Sequence, residues 1–224
     1  MPGDMAEFDS MTQADQDAVT QVVVNAGKAL GAYERLLSCG PGRFDAWVHG
    51  SATALTPSEQ RGAQVFVGRG KCVACHAGPF LSDQQFHNVG LQPATVAVII
   101  LDANDPGASA GLAAALTDPL NVLGTFSDGN DGRLPATVSS AMTGAFRTPT
   151  LRCASKRPSF MHTGQLATLD AVVAFFARGG DAFGYPGTSE IAPLGLSGQD
   201  QTDLVAFLGA LEGSGPAPSL ESSP

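Results

Sequence analysis

The chain has 224 residues, 43% of them hydrophobic, which suits one domain, or one domain with an extension that depends on a partner. Charged residues make up 15%, below the roughly 25% of a typical soluble domain, and the net charge of −9 argues against nucleic-acid binding. No stretch approaches a membrane span, because the longest apolar run, Val96 to Leu101, is far too short.

Residues 13–37 predict a helix, since Val19, Val22, Val23, Ala26, Ala29, Leu30, Tyr33, Leu36 and Leu37 recur at helical spacing. Thr12, with Asp15 three residues on, supplies the cap, and Cys39-Gly40-Pro41-Gly42 ends the segment. A second helix starts at Thr56-Pro57-Ser58-Glu59, with Thr at the N-cap, Pro at N1 and Glu at N3 closing a capping box. It reaches about Val67 and stops at Gly68-Arg69-Gly70. Directly after it stands Cys72-Val73-Ala74-Cys75-His76. Residues 77–104 read as irregular, with a short strand or extended segment at Thr95 to Leu101. A short helix is expected over 107–116 and a loop over 117–145, centred on Asp128-Gly129-Asn130-Asp131-Gly132. Thr168 caps a helix over 168–178 that Gly179-Gly180 stops, and Ser197-Gly198-Gln199-Asp200 caps a last helix to about Leu211. The Pro/Ser-rich tail, Gly213 to Pro224, predicts disorder. The sum is a mainly α protein with long loops.

The Cys-x-x-Cys-His element is the attachment signature of a c-type haem. Two thiols one helical turn apart add across the two vinyl groups of a haem, and the adjacent imidazole falls under the iron as its proximal ligand. The expected fold is therefore a cytochrome c-like helical domain around one covalently bound haem. A Cys-x-x-Cys pair also serves thioredoxin-like redox sites and zinc sites. Zinc wants a second ligand pair, whereas Cys39 and Cys153 are lone and distant. The redox motif follows a strand, whereas a helix precedes this one and Ala77-Gly78-Pro79 follows it. Cys39 and Cys153 read as free thiols, with a disulfide open to them in an oxidising compartment. Covalent haem attachment takes place outside the cytoplasm, so the periplasm is the expected location. Met1-Pro2-Gly3-Asp4 has neither the basic nor the apolar region of a signal peptide, so the chain reads as a fragment of a longer exported protein; a misplaced start or an interrupted gene would look the same.

Several blocks resemble the bacterial di-haem cytochrome c peroxidase family, on the side that includes MauG. They are Gly27 to Arg35 with Phe44-Asp45; Leu55-Thr56 through Arg61-Gly62-Ala63 and Phe66 into Cys72 to His76; Asp83 and Phe86-His87-Asn88-Val89-Gly90; Phe146 to Arg152; Phe160-Met161-His162-Thr163-Gly164; and Pro193 to Ser197. The resemblance covers nearly all of residues 18–212. It implies two haem domains, of which this chain aligns with the carboxy-terminal one, the amino-terminal haem domain being missing. Residues 1–50 would be a remnant of the first domain and its connector, 51–212 the haem domain and 213–224 the tail.

The same resemblance puts the distal ligand of this haem in the helix after the Met161-His162 block, as a Met in the cytochrome c peroxidases and a Tyr in MauG. An ungapped count from His162 reaches Phe176, which has no lone pair for iron. Three readings stay open: an open, five-coordinate iron; a ligand from elsewhere, with Met161, Met142 and His162 as candidates; or a local shift in register. Phe176 is otherwise an ordinary core residue. His162 resembles a family histidine near the haem that does not ligate it, suiting a core or propionate-bonding role. Arg147 and Arg152 match haem propionates or are surface arginines. His87 lines the haem edge or faces solvent. The resemblance also allows a calcium ion, which nothing in the sequence supports.

Function follows in three forms. The first is a redox relay: a haem electron-transfer unit of a peroxidase-like oxidoreductase, exchanging electrons with a donor or acceptor protein in support of hydrogen peroxide reduction. The second is an open-coordination haem with its own peroxidase activity, although no distal acid–base group is evident. The third is an inactive truncated domain that needs a partner such as a separate first haem domain; an apolar stripe left exposed on the 18–37 helix would favour it.

Overall fold

In the computed structural model, which describes residues 6–93, 104–129 and 132–222, helices begin where the cap residues stand. Seven α-helices lie among the described residues: α1 Ala6–Asp9, α2 Gln13–Glu34, α3 Arg43–Val48, α4 Pro57–Val67, α5 Ala108–Thr117, α6 Leu169–Arg178 and α7 Gly198–Ala210. Thr12 accepts from Asp15 N at the start of α2. Thr56 and Glu59 exchange both bonds of a capping box on α4, and Ser197 and Asp200 do the same on α7. Thr168 caps α6, which stops at Gly179 in the left-handed region at φ 85°. Helices α1 and α3 were not foreseen; Gly42 and Asp45 start α3 without a Ser or Thr, the Asp45 carboxylate accepting from Gly42 N at 2.8 Å. Two antiparallel two-residue strands pair, β1 Phe86–His87 inside the stretch that reads as irregular and β2 Phe146–Arg147 just after the expected loop. The expected strand at Thr95 to Leu101 and the loop residues Asn130 and Asp131 lie outside the described residues.

The chain divides into two compact units. One takes the described residues of Cys39–Ala113 and Thr137–Gly215, the other those of Met1–Ser38, Ala114–Ala136 and Pro216–Pro224. The first unit has a core of Ala63, Val65, Phe66, Leu81, Val173, Leu204, Phe207, Leu208 and Leu211, in which α4 packs on α7 and α7 on α6. Phe207 sits edge-on to Phe44 and tilted against Phe66, with ring centroids 5.5 and 5.3 Å away. Each such side chain contributes about 1.5–3 kcal/mol on burial. A Cβ at Gly62 would stand 2.0 Å from the Asp203 carbonyl oxygen, so glycine sets how closely α4 approaches α7. Arg61 clasps Asp203 through two bonds of 2.7 and 2.8 Å. A second apolar cluster joins Leu91, Phe175 and Tyr185 with Val89, Phe146, Met161, Leu166, Phe176 and Ile191. Helix α6 serves both clusters, Val173 in one and Phe175 in the other.

The reading of Cys39 and Cys153 as free thiols is corrected: they form a disulfide across 114 residues. Sequence distance concealed that both flank the chain leaving α7. Gly40 N donates to Ser214 O at 2.8 Å, and Cys153 N to Leu211 O at 3.2 Å. In the second unit, Lys28 bonds the Asp128 carboxylate at 2.7 Å and Tyr33 donates to the Leu220 carbonyl. Helix α2 buries none of its residues. Among the described residues no helix is long and apolar enough to cross a membrane.

Candidate functional site

Helix α4 delivers the Cys-x-x-Cys-His element. It ends at Gly68, Gly70 N reaches back to Val65 O, and Lys71 turns through the left-handed region at φ 53°. Cys72–Ala74 then forms a 3-10 turn. Cys75 N and His76 N both donate to Cys72 O, at 3.3 and 2.9 Å, which gathers two thiols and an imidazole on one turn. Cys72 packs against the first core, and both cysteines are free. Burial pushes the Cys72 thiol up to about 11. Burial, with the nearby Asp83 and Glu190 carboxylates, pushes Cys75 up as well. A dithiol redox site needs a lowered thiol pKa, so these directions oppose the thioredoxin-like reading. The other two cysteines are tied to each other, which removes the partners a four-cysteine zinc site would need.

His76 is held from its far side. Its Nδ1 lies 2.9 Å from the Leu81 carbonyl oxygen, an acceptor, so Nδ1 carries the proton and Nε2 keeps its lone pair. Burial lowers its pKa, favouring the neutral, ligating form. The loop beyond is closed by Ser82 N on Ala77 O at 2.9 Å and Asp83 N on Cys75 O at 2.8 Å. Ser82 Oγ and Gln85 O then bond Thr148, and β1 pairs with β2.

The other expected site residues fall into three groups. Phe146, Met161 and Phe176 share the second apolar cluster, Phe176 standing edge-on to the fully buried Phe175 at 5.2 Å. His162 stacks on Phe146 at 3.7 Å, with Nε2 3.3 Å from Asp105. Met142 ends a 3-10 turn, Ser140–Met142, outside the set packed on either cluster. Arg147 is exposed and bonds the Gln84 amide oxygen. Arg152 is neither a surface arginine nor unengaged: it forks onto Asp45 at 2.8 and 3.0 Å and bonds the Pro79 carbonyl. His87 bridges two carboxylates, Nε2 to Asp83 at 2.9 Å and Nδ1 to Glu190 at 2.7 Å. Glu190 and Tyr185 were not singled out in the sequence, being about 100 residues from β1 with no motif around them. Thr163 Oγ1 is buried without a hydrogen-bond partner.

No protein-family model matches the chain. The cytochrome-c peroxidase IdrP1 of Denitromonas iodatirespirans is 36% identical to it, over 94% of this chain and 54% of that protein. The methylamine utilization protein MauG of Methylorubrum extorquens is 32% identical, over 88% of this chain and 46% of that protein. The crystal structure of a MauG-like protein associated with microbial copper homeostasis matches with a TM-score of 0.52 at 28% identity, over 82% of this chain and 54% of that one. The diheme peroxidase BthA from Burkholderia thailandensis shares the fold, with a TM-score of 0.58 at 24% identity over 77% of this chain and 46% of that one. The chain spans about half the length of the curated relatives it matches. By these similarities the chain belongs to the cytochrome-c peroxidase and MauG family of haem proteins, and its mainly helical, cytochrome c-like fold is theirs.

Proposed function

We propose that Cys72 and Cys75 attach one haem c and that His76 Nε2 is its axial iron ligand, so that residues 51–212 form an electron-transfer domain serving peroxide reduction. The observation that carries this is the His76 Nδ1 bond to the Leu81 carbonyl, which leaves Nε2 free beside two unpaired thiols. The donor set fits haem c, which when bound supplies reversible one-electron iron chemistry. The chain's own residues do the rest. Leu81 fixes the imidazole tautomer, and Cys72 anchors the turn on the first apolar cluster. Met161, packed with Phe176, is the distal candidate favoured over Met142. Arg147, exposed beside a neutral amide, suits a propionate; Arg152 is committed to Asp45. The Cys39–Cys153 disulfide suits an oxidising compartment such as the periplasm.

The test is expression in a bacterial periplasm with haem-maturation machinery. Haem should remain on the chain in a denaturing gel and be lost in the Cys72→Ser, Cys75→Ser double variant. His76→Ala should keep the covalent haem and change its ferrous spectrum. A folded wild-type chain without covalent haem sinks the proposal. A low-spin ferric spectrum supports the relay; a high-spin one moves the open-coordination peroxidase reading ahead.

A second reading rests on α2. Val22 and Leu30 are 68% and 63% exposed, and Val19, Val23 and Tyr33 are exposed beside them. A monomer rarely leaves such a stripe bare. This favours assembly with more protein, in the manner of a separate first haem domain, and self-association of the isolated chain is the cheap sign of it.

A further inference from the structure

We propose that, before haem attachment, Cys75 Sγ, an Asp83 carboxylate oxygen and His87 Nε2 bind one divalent, thiophilic d-block cation of the zinc class, so that metal loading and haem attachment at Cys75 exclude each other. The exclusion rests on the haem reading above; the cation site does not.

The three donor atoms lie within 4.8 Å of one another. Bond lengths of about 2.0–2.3 Å place tetrahedral donors about 3.5 Å apart, so small side-chain rotations close the set. Sulfur, nitrogen and one carboxylate suit zinc or cobalt rather than calcium or magnesium, and leave the fourth position for water.

What lifts the trio above a chance cluster is the far side of His87. Glu190 Oε2 sits 2.7 Å from Nδ1, the carboxylate–imidazole support that orients a ligating histidine with Nε2 toward the metal. Glu190 is itself anchored, since Oε1 accepts from Asn88 N at 3.0 Å and Glu190 N donates to Asn88 O at 2.8 Å. Asp83 is tied to the cysteine by its N–H on Cys75 O, and His87 is held in β1. Asp83 and His87 side chains are about a quarter exposed, which admits an ion from solvent.

Without metal, His87 bridges the two carboxylates and the neighbouring Cys75 is a free thiol. Binding replaces the Nε2–Asp83 bond. The Cys75 proton, and the Nε2 proton where present, leave to solvent as the sulfur–metal and nitrogen–metal bonds form. A metal-bound thiolate has no thiol hydrogen to add across a vinyl group.

The experiment uses the full chain made without haem, with Cys72 and Cys75 reduced, titrated with cobalt(II) alone. One equivalent should give a thiolate-to-cobalt charge-transfer band that zinc abolishes by displacement. Cys75→Ser should remove the band, while Cys72→Ser should keep both band and affinity. Asp83→Asn and His87→Gln should weaken binding at least about tenfold, and Glu190→Gln about 10- to 100-fold. Loss in Cys72→Ser with retention in His87→Gln would mean a plain Cys-x-x-Cys chelate and overturn the proposal, as would no charge-transfer band in the wild type. Should a variant unfold, alkylation of the wild type decides: zinc must slow modification of Cys75 more than of Cys72, and equal protection overturns the site. A chain that binds cobalt this way yet takes no covalent haem under maturation would refute the haem reading alone. A haem-loaded chain that still shows the band would refute the exclusion.

Discussion

Helices α2 and α4 start alike and end differently. Each opens on a threonine whose hydroxyl accepts the N–H three residues on. Helix α4, 11 residues long, buries Glu59, Gly62, Ala63, Val65 and Phe66. Helix α2, at 22 residues, buries none. Its half-buried positions are Gln16, Thr20, Gln21, Val24 and Gly31, while Val19, Val22, Val23, Leu30 and Tyr33 point to solvent. Hydrophobic periodicity therefore specifies a helix and the width of its apolar stripe, but not what covers the stripe. In α4 the cover is α7. In α2 the side chains of Val19, Val22, Val23, Leu30 and Tyr33 stay exposed.

The largest expected effect sharpens that contrast. Phe207→Ala removes a ring that is 2% exposed from the junction of α3, α4 and α7, and should cost about 3–5 kcal/mol in urea unfolding of the chain. A loss near 1 kcal/mol would mean that the α4–α7 core is loosely packed and the contrast with α2 overstated. Next comes the staple at the start of the same unit. Cys153→Ser opens the 114-residue link to Cys39 and should cost about 2–4 kcal/mol, read from the same urea curves. Free thiols at Cys39 or Cys153 in the native chain, located by alkylation and mass spectrometry, would refute the link directly.

A smaller effect comes from Asp45 and Arg152. The Arg152 guanidinium, ahead of all other causes, lowers the Asp45 carboxyl from 3.8 to about 2. The folded pKa is depressed, so the stabilisation is fully present above about pH 4 and is lost as pH falls through about 2. Arg152→Met should cost about 1–3 kcal/mol at neutral pH, the range for charged hydrogen bonds, and should flatten the acid limb of the stability profile in that window. An unchanged acid limb would assign the slope to other carboxylates.

Much of the first unit was legible because its signals are local. The Thr56–Glu59 box, the Thr168 cap, the Gly179 stop and the Ser197 cap each sit within four residues of the group they serve. The Cys-x-x-Cys-His turn is local for the same reason. What the sequence hid is long-range. Glu190 reaches His87 across 103 positions, Arg152 reaches Asp45 across 107 and Cys39 meets Cys153 across 114. No spacing rule covers such pairs, since the fold must exist before they become neighbours. Helix α3 escaped for another reason, beginning on a glycine with its capping carboxylate inside the helix.

The smallest expected change in stability tests the bare face itself. Leu30→Ser replaces a side chain that is 63% exposed on α2. Surface substitutions away from special features stay within about 0.5 kcal/mol, so the urea midpoint of the monomer should hardly move. Serine also costs helix propensity, which acts in the destabilising direction, so an unchanged midpoint would already show that Leu30 loses no packing. Sedimentation should move instead. If the stripe holds copies or partners together, the variant should be more monomeric at the same concentration. A loss of about 2 kcal/mol or more would mean that Leu30 is covered within the folded chain, and α2 would then join α4 as an ordinary packed helix.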